Sequence, residues 1–331
     1  MLLTVTVPDW AEKIASDLTD MDRDPRPVTP GQVLELELPD DAYFEYGFIG
    51  PDGKVRPDPH APGRAKSVWY GEVSFVTGPA YRRHELHDPP AELATGRSDR
   101  LRLESRALGQ VRRVTVYTPS AVADDEATPL AVVQDGVAFQ RLGALHLVLE
   151  ALLRRGEVRP ARLAFVEPVD RMTEYAFCEP YLRFVEEELV PELAARYPLA
   201  PRRVWVGASM GALASATLAL RRAEREPESA RDDAVLALSG AFLGTPEEFD
   251  PYRSRRSWLA ERLRDPGARL PGAWHVHVGT FEWLRDVNRE VAAALADRAD
   301  VRSAFTEANA GHNWPNWKDA LPGALRTVLH S

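Results

Sequence analysis

The residue best placed to do chemistry in this sequence is Ser209, which stands in the stretch Gly207–Gly211 (GASMG). The apolar run Val204–Val206 before it predicts a strand, and the Ala- and Leu-rich run Ala212–Leu220 after it predicts a helix. A sharp strand-to-helix turn leaves no room for Cβ atoms beside the serine, so glycines flank it and the hydroxyl points outward. This context predicts a nucleophilic serine, although a tight turn with an incidental serine would have the same pattern.

A serine hydroxyl needs a base to take its proton, and the predicted base is His312. Four of the eight histidines follow the serine: His275, His277, His312 and His330. The first two lie on one face of a predicted strand, where a packed histidine is usual. His312 lies in a loop after the last predicted strand, at the sheet edge where ligands bind. Gly311 would allow the unusual backbone that turns the ring inward. The alternative is a structural loop histidine.

The predicted acid partner of His312 is Glu282, which directly follows the strand predicted over His275–Val278. Such an acid fixes the imidazole tautomer and stabilises the imidazolium, and α/β-hydrolases have the chain order serine, acid, histidine. Asp286, one helical turn further, is the competing residue. Either carboxylate could instead serve only to complement a helix N-terminus. The position of Glu282 nearer the strand end favours it.

Two backbone N–H groups are the candidate oxyanion hole. Met210 follows the nucleophile at the predicted helix N-terminus, so its N–H faces the charge that develops in a tetrahedral intermediate. The second donor comes from the loop after an earlier strand, here Leu130–Gln134. That loop offers Gly136, where a glycine lets the backbone approach the substrate, or Val137; a simple left-handed turn explains the glycine almost equally well.

The second half of the chain alternates predicted strands and helices, which indicates a mostly parallel sheet covered on both faces. With the Ser209 turn in its middle, this predicts an α/β fold of the α/β-hydrolase type over residues 101–331. The predicted elements around that turn are strands Leu101–Ser105, Val111–Thr118, Leu130–Gln134, Leu163–Val166, Ala234–Leu238, His275–Val278 and Val301–Glu307, and helices Ala138–Arg154, Tyr181–Tyr197, Trp283–Asp297 and one from about Asn316.

Short alternating strands and turns predict a small all-β sandwich over residues 1–85, with a polar connector over residues 86–100. Val68–Phe75 is one predicted strand, and the proline-rich Arg56–Arg64 is a predicted loop. No candidate catalytic group precedes Leu101. The sequence therefore predicts that residues from about Pro90 onward are chemically complete, and that the Arg56–Arg64 loop overhangs the sheet edge and shapes substrate choice.

Composition limits the partners of this protein. The chain has 331 residues, a net charge of −9 and 44% hydrophobic residues, which argues against nucleic acid or an anionic membrane as the main partner. The single cysteine, Cys178, excludes an internal disulfide framework and a multi-cysteine metal site. No apolar run approaches transmembrane length, and the first residues lack a signal-peptide pattern. We expect a cytoplasmic protein that needs no metal or other cofactor and acts on a small molecule.

Several stretches together resemble the esterase family that includes enterochelin esterases, esterase D and feruloyl esterases. They span nearly all of residues 101–331 and are Arg112–Pro119 (RRVTVYTP), Val133–Gly136 (VQDG), Arg171–Glu174 (RMTE), Tyr181–Pro191, GASMG, Ser239-Gly240, VGTFE and GHNWPNW. The residue that follows the serine turn is Ala212, where many members have a second glycine. The N-terminal pattern, a Tyr-rich strand followed by a Pro-Asp-Gly turn, is similar to the immunoglobulin-like modules of enterochelin esterases and α-glucan-active enzymes.

The resemblance implies a serine esterase with its acid in the VGTFE segment and its base in GHNW, and suggests siderophore-type or aryl esters. It also places Arg171 near the mouth of the site, where Arg171 and Glu174 could equally form a salt bridge at a helix N-terminus. Trp314 and Trp317 could wall an aromatic pocket or anchor the terminal helix. Two alternatives are an acyltransferase with the same triad and a binding module joined to an inactive hydrolase shell.

Overall fold

The computed structural model of the protein describes residues 1–21, 23–250 and 254–330. Its first 87 residues form an all-β module with the strands β1 (Leu2–Thr6), β2 (Lys13–Ser16), β3 (Arg26–Pro27), β4 (Val33–Glu37), β5 (Tyr43–Ile49), β6 (Val55–Arg56), β7 (Gly63–Lys66) and β8 (Glu72–Thr77). They form two antiparallel sheets, one made of β1 and β4 and the other with the order β3-β2-β5-β8-β7 and β6 paired to β5. Val5, in the first sheet, and Leu38, directly after β4, share one buried core with Phe44 and Phe48 of the second sheet, so the two sheets pack as a sandwich.

The rest of the chain builds an eight-stranded sheet from β9 (Arg97–Ser105), β10 (Gln110–Thr118), β11 (Thr128–Val133), β12 (Arg162–Val166), β13 (Leu199–Ala208), β14 (Ala234–Leu238), β15 (Ala273–Gly279) and β16 (Arg302–Ala308). The strand order is β16-β15-β14-β13-β11-β12-β10-β9. The pairs from β12 through β15 run parallel, and β9 and β10 add an antiparallel edge. The fold is therefore the predicted α/β-hydrolase type with a mostly parallel sheet, preceded by an all-β module.

Helices connect and cover these strands. They are α1 (Gly136–Arg141), α2 (Leu145–Arg154), α3 (Arg171–Glu174), α4 (Glu179–Arg183), α5 (Val190–Arg196), α6 (Met210–Arg225), α7 (Pro227–Ala230), α8 (Trp258–Arg264), α9 (Arg285–Ala296) and α10 (Trp314–Val328). A π-helical segment, Phe184–Leu189, joins α4 to α5, and 3₁₀ turns span Asp17–Thr19 and Ala91–Leu93. Across residues 1–21, 23–250 and 254–330, no helix is long and apolar enough to span a bilayer.

Some predicted boundaries differ from the structure, for local reasons. The helix predicted over Ala138–Arg154 is two helices, because Ala144 between them has a left-handed backbone (φ 49°). The strand predicted from Leu101 begins at Arg97, where pairing with the long strand β10 extends it into the predicted connector. The strand predicted over Val68–Phe75 begins only at Glu72, so residues 67–71 form the loop of the β7–β8 hairpin.

The chain divides into two compact units, and the division does not follow the sequence ranges alone. One unit comprises residues 1–87, 278–285 and 307–319, and the other comprises residues 88–277, 286–306 and 320–331. The segments after β15 and β16, which carry Glu282 and His312, thus group with the N-terminal module. The surroundings of the predicted acid and base therefore include residues of the N-terminal module.

Candidate active site

Ser209 lies where β13 meets α6, in a backbone conformation that L-residues rarely adopt. Its φ is 55° and its ψ is −123°. Its N–H donates to the Leu238 carbonyl at 2.8 Å, and its own carbonyl accepts from the Ala241 N–H at 3.0 Å, so the end of β14 holds the turn from both sides. A strained conformation costs about 1–3 kcal/mol and persists only where the surroundings enforce it. Strain of this kind is typical of a functional position.

The glycines around Ser209 are required by close packing. A Cβ on Gly207 would lie 2.2 Å from the carbonyl carbon and oxygen of Gly211. A Cβ on Gly211 would lie 2.9 Å from the carboxylate of Asp135 and 3.0 Å from Gln134 Cβ. Neither contact leaves room for a side chain, which is the physical reason given above for the glycine spacing. Ala212, the next residue of the helix, is fully buried in α6.

Two of the predicted oxyanion donors begin helices with their N–H groups available. Met210 is the first residue of α6 and Gly136 the first of α1, and no described residue accepts a hydrogen bond from either N–H. The alternative donor, the Val137 N–H, is bonded to the Glu167 carboxylate at 2.9 Å. The left-handed residue of this loop is Asp135 (φ 53°), not Gly136. Gly136 is needed because a Cβ there would lie 2.5 Å from the backbone of β12.

Arg171 ties this loop to the serine turn. Its Nε and Nη2 donate to the two carboxylate oxygens of Asp135 at 2.8 and 3.0 Å, and its Nη2 also donates to the Ala208 carbonyl at 3.2 Å. Glu174 makes a separate ion pair with the buried Arg112 at 2.7 Å. The suggested pairing of Arg171 with Glu174 is therefore wrong. The network of Arg171 fixes Asp135 against the residue before the nucleophile, and a role for Arg171 in substrate binding stays a prediction.

The other unit contains the predicted acid and base as a bonded pair. His312 Nδ1 lies 2.6 Å from Glu282 Oε2, and both side chains are almost completely shielded, with exposed fractions of 5% and 0%. The second carboxylate oxygen of Glu282 accepts from the Gly279 N–H at 2.7 Å. Asp286, by contrast, lies exposed in the first turn of α9. A carboxylate can only accept, so His312 donates from Nδ1 and leaves Nε2 free to act as a base.

Aromatic rings surround His312. Trp283 lies 4.9 Å from the imidazole, Trp317 meets it edge-on at 5.0 Å, and Trp69 stacks on it at 5.4 Å with an interplanar angle of 23°. Trp314 is half-buried and packs edge-on against Trp317 at 5.0 Å, one ring away from the histidine. Trp69 was missed by sequence reasoning, because a tryptophan in a hairpin loop carries no motif. Its position beside Tyr70 in a short link between strands is the only local signal.

Gly311 has a different reason from the one predicted. Its φ does not lie in the left-handed region, so it provides no unusual backbone. A Cβ at this position would lie 1.9 Å from Oδ1 of Asp17, a buried carboxylate of the N-terminal module. The glycine is required because the base loop packs directly against Asp17. Sequence reasoning could not find this contact, since the two residues are almost three hundred positions apart.

Of the other three histidines after Ser209, His275 and His277 are buried in β15 and His330 is exposed. His275 lies 3.1 Å from Thr327 Oγ1 and 3.2 Å from Thr306 Oγ1, and His277 lies 2.9 Å from the same Thr306 oxygen. Burial, with a smaller effect of neighbouring His277, lowers the pKa of His275 from 6.5 to about 4. The buried position and the low pKa keep this ring neutral, which is a structural role.

This shift predicts acid sensitivity. Between pH 6.5 and about 4 the unfolded chain binds the His275 proton and the folded protein does not, so the free energy of unfolding falls as the pH falls. The slope from this one group reaches at most about 1.4 kcal/mol per pH unit. Urea unfolding at several pH values should show a shallower slope for His275→Gln than for the wild type. The exposed His60→Gln is the control, and equal slopes for His275→Gln and wild type would contradict the assignment.

Within the described part of the chain, no group of three or more His, Cys, Asp or Glu side chains is arranged to hold a metal ion.

Comparisons with known proteins place these features in a family. A family model described as Esterase: Putative esterase matches residues 105–328, about two thirds of the chain. The chain belongs to this esterase family. A curated relative, the iron(III) enterobactin esterase of Dickeya dadantii (strain 3937), is 29% identical over 245 residues, which cover 68% of this chain. The chain spans about half, 53%, of that relative's length.

Solved structures of enterochelin esterases share the fold along almost the whole chain. The enterochelin esterase from Shigella flexneri has a TM-score of 0.73 at 20% identity, and the ferric enterobactin esterase from Salmonella typhimurium has a TM-score of 0.74 at 17% identity. Each comparison covers 99% of this chain and 92% of the other. The esterase-family chain described here therefore has an enterochelin esterase-like fold, including its all-β N-terminal module.

Proposed function

We propose that this protein is a serine esterase that hydrolyses carboxylic esters through an acyl-enzyme. The observation that carries the proposal is the strained backbone of Ser209 at the junction of β13 and α6 (φ 55°, ψ −123°). Nothing in the packing of a core requires a serine in this conformation. A nucleophilic serine does require this conformation, because the turn projects the serine oxygen away from the sheet, next to the N–H groups of a helix N-terminus.

The sheet topology supports Glu282 and His312 as the partners of Ser209. β13, β14 and β15 run parallel and side by side, so the turns that follow β13 and β15 leave the sheet at the same edge. Glu282 follows β15 and holds His312 by a 2.6 Å hydrogen bond. A bonded, shielded carboxylate–imidazole pair is the arrangement that a serine nucleophile needs for activation.

In the proposed mechanism, Nε2 of His312 removes the proton from Ser209 as the serine oxygen attacks the ester carbonyl. The negative charge that develops on the carbonyl oxygen is stabilised by the N–H groups of Met210 and Gly136. Glu282 accepts from Nδ1 throughout and stabilises the imidazolium, which then protonates the leaving alcohol. Water attacks the acyl-enzyme in a second, equivalent cycle, and His312 again acts as base and then as acid.

We propose the substrate class from the similarity of this chain to its named relatives. The relative from Dickeya dadantii is named an iron(III) enterobactin esterase, and we propose siderophore-type or aryl esters as the substrates to examine first. Arg171 and Trp314 are candidate contacts for such a substrate. A cytoplasmic location is likewise a prediction, consistent with the net charge of −9 and with a small-molecule substrate.

An acyl-enzyme can be tested by partitioning between water and an added alcohol. Phenyl and p-nitrophenyl esters with the same acyl group should give the same ratio of methyl ester to free acid in a fixed concentration of methanol, because both esters pass through one intermediate. Ratios that depend on the leaving group would contradict the acyl-enzyme. A product pattern dominated by alcohol transfer would instead favour an acyltransferase with the same residues.

A further inference from the structure

The N-terminal module is bonded directly to the loop that carries the proposed base. The Tyr43 N–H, at the start of β5, donates to the Asn309 carbonyl at 2.9 Å. The Asn309 side chain donates to Asp41 at 2.7 Å and accepts from the Thr280 hydroxyl at 2.8 Å, next to the acid loop. Phe281, from the acid loop, packs on the buried core of the module. Both loops are therefore anchored by residues that precede the hydrolase fold in the sequence.

Trp69 extends this contact to the imidazole itself. The loop of residues 67–71 lies between β7 and β8 and brings the half-buried indole of Trp69 onto the face of His312, with ring centroids 5.4 Å apart. Trp69 also lies 5.8 Å from Trp283, which contacts the imidazole at 4.9 Å. The three rings thus touch one another, and one of them comes from the module. The segment predicted as an overhanging loop, Arg56–Arg64, begins at the last residue of β6 and ends in the first two residues of β7.

Asp17 packs against the loop that carries the proposed base, His312. Its carboxylate is buried, accepts the Glu45 N–H at 2.7 Å and occupies the space beside Gly311 that any larger residue would need. Burial, together with nearby Glu45, Glu282 and Asp20, raises the pKa of Asp17 well above its ordinary value.

We propose that the N-terminal module is part of the catalytic apparatus, with Trp69 and Asp17 as positioning residues that hold His312 for proton transfer. This inference rests on the proposed serine esterase function. It replaces the expectation that residues from about Pro90 onward are chemically complete.

The physical reason lies in the geometry of proton transfer. The base must keep Nε2 aligned with the serine oxygen, and a displacement of about 1 Å can cost about a hundredfold in rate. Glu282 fixes one ring nitrogen but leaves the ring free to tilt about that bond. The stacked indole of Trp69 limits this tilt, and its π face also favours the imidazolium that forms during the reaction. Asp17 contacts Gly311 and so fixes the position of the loop that carries His312.

Trp69→Ala tests the first contact. We expect kcat for a p-nitrophenyl ester to fall at least about tenfold with KM changed less than threefold, and Trp69→Phe to recover most of the loss. Trp10→Ala is the matched control, because it removes a half-buried indole of the same module that packs on Phe48 and Arg56. A raised KM with unchanged kcat, or equal effects of Trp69→Ala and Trp10→Ala at equal thermal stability, would overturn the positioning role.

The second contact can be tested by suppression. Gly311→Ala should lower kcat at least tenfold, because its Cβ would clash with Asp17, and adding Asp17→Ala should restore part of the lost rate. A double variant no faster than Gly311→Ala would overturn the role of Asp17. Ser209→Ala separates the two proposals: hydrolysis that does not depend on Ser209 removes the esterase mechanism, whereas Ser209-dependent hydrolysis with unaffected module variants removes only the role of the module.

Discussion

Ser209→Ala is expected to lower kcat/KM for p-nitrophenyl esters by at least about a thousandfold while the protein stays folded, since loss of a triad nucleophile typically costs several orders of magnitude. The fold should tolerate the change because the turn is held by backbone hydrogen bonds to Leu238 and Ala241, which the variant retains. The measurement is steady-state hydrolysis, with circular dichroism and thermal unfolding to compare the fold.

Ser215→Ala is the matched control for this prediction. Ser215 lies in α6, is fully buried, and its hydroxyl has no hydrogen-bond partner among the described residues, so its loss should leave hydrolysis within about twofold of wild type. Retention of more than about a tenth of the activity in Ser209→Ala would remove Ser209 as the nucleophile. A single ordinary hydrogen bond could account for so small a decrease.

Glu282→Gln is expected to lower kcat by about 10³–10⁴-fold, and Asp286→Asn to change it little. One oxygen of Glu282 accepts from the Gly279 N–H at 2.7 Å, so a glutamine places its carbonyl there and turns its NH₂ group toward His312. His312 Nδ1 must then accept instead of donate, and its proton moves to Nε2. In that tautomer the ring cannot take the proton of Ser209.

The Asn variant is the control because Asp286 is an exposed carboxylate only one helical turn from Glu282. The comparison uses kcat at saturating ester, together with urea unfolding to correct for lost stability. A larger loss in Asp286→Asn than in Glu282→Gln would transfer the role of the acid to Asp286. No loss in either variant would indicate a serine–histidine dyad.

The serine turn was predictable because its requirements are local. The requirement for Gly207 lies within the motif, because a Cβ there would meet Gly211; the contact of Gly211 with Gln134 and Asp135, which follow β11, is the exception. The alternation of strands and helices is also a local pattern, and it correctly predicted the mostly parallel sheet. The sequence could favour Glu282 as the acid and His312 as the base because each residue follows the end of a predicted strand.

The support for the base could not be predicted, because it depends on contacts between distant parts of the chain. Asp17 contacts Gly311, and Trp69 contacts His312, although the residues of each pair lie far apart in the sequence. Contacts between such distant residues produce no periodic pattern in the sequence. The sequence suggested a backbone reason for Gly311 because glycine more often signals a left-handed residue than a close approach. The alternation of apolar and polar residues over Val68–Phe75 predicts a continuous strand, and only the pairing of β7 with β8 shows that residues 67–71 form a loop.

The most direct test of the account is to identify the residue that becomes acylated. A p-nitrophenyl carbamate should transfer one carbamoyl group to the wild-type protein and none to Ser209→Ala, as measured by intact-protein mass spectrometry. The carbamoyl-enzyme hydrolyses slowly enough to be detected. Peptide mapping should locate that group on Ser209, with p-nitrophenol released in equal amount. Acylation of another residue, or complete turnover of the ester without any modified Ser209, would contradict the account.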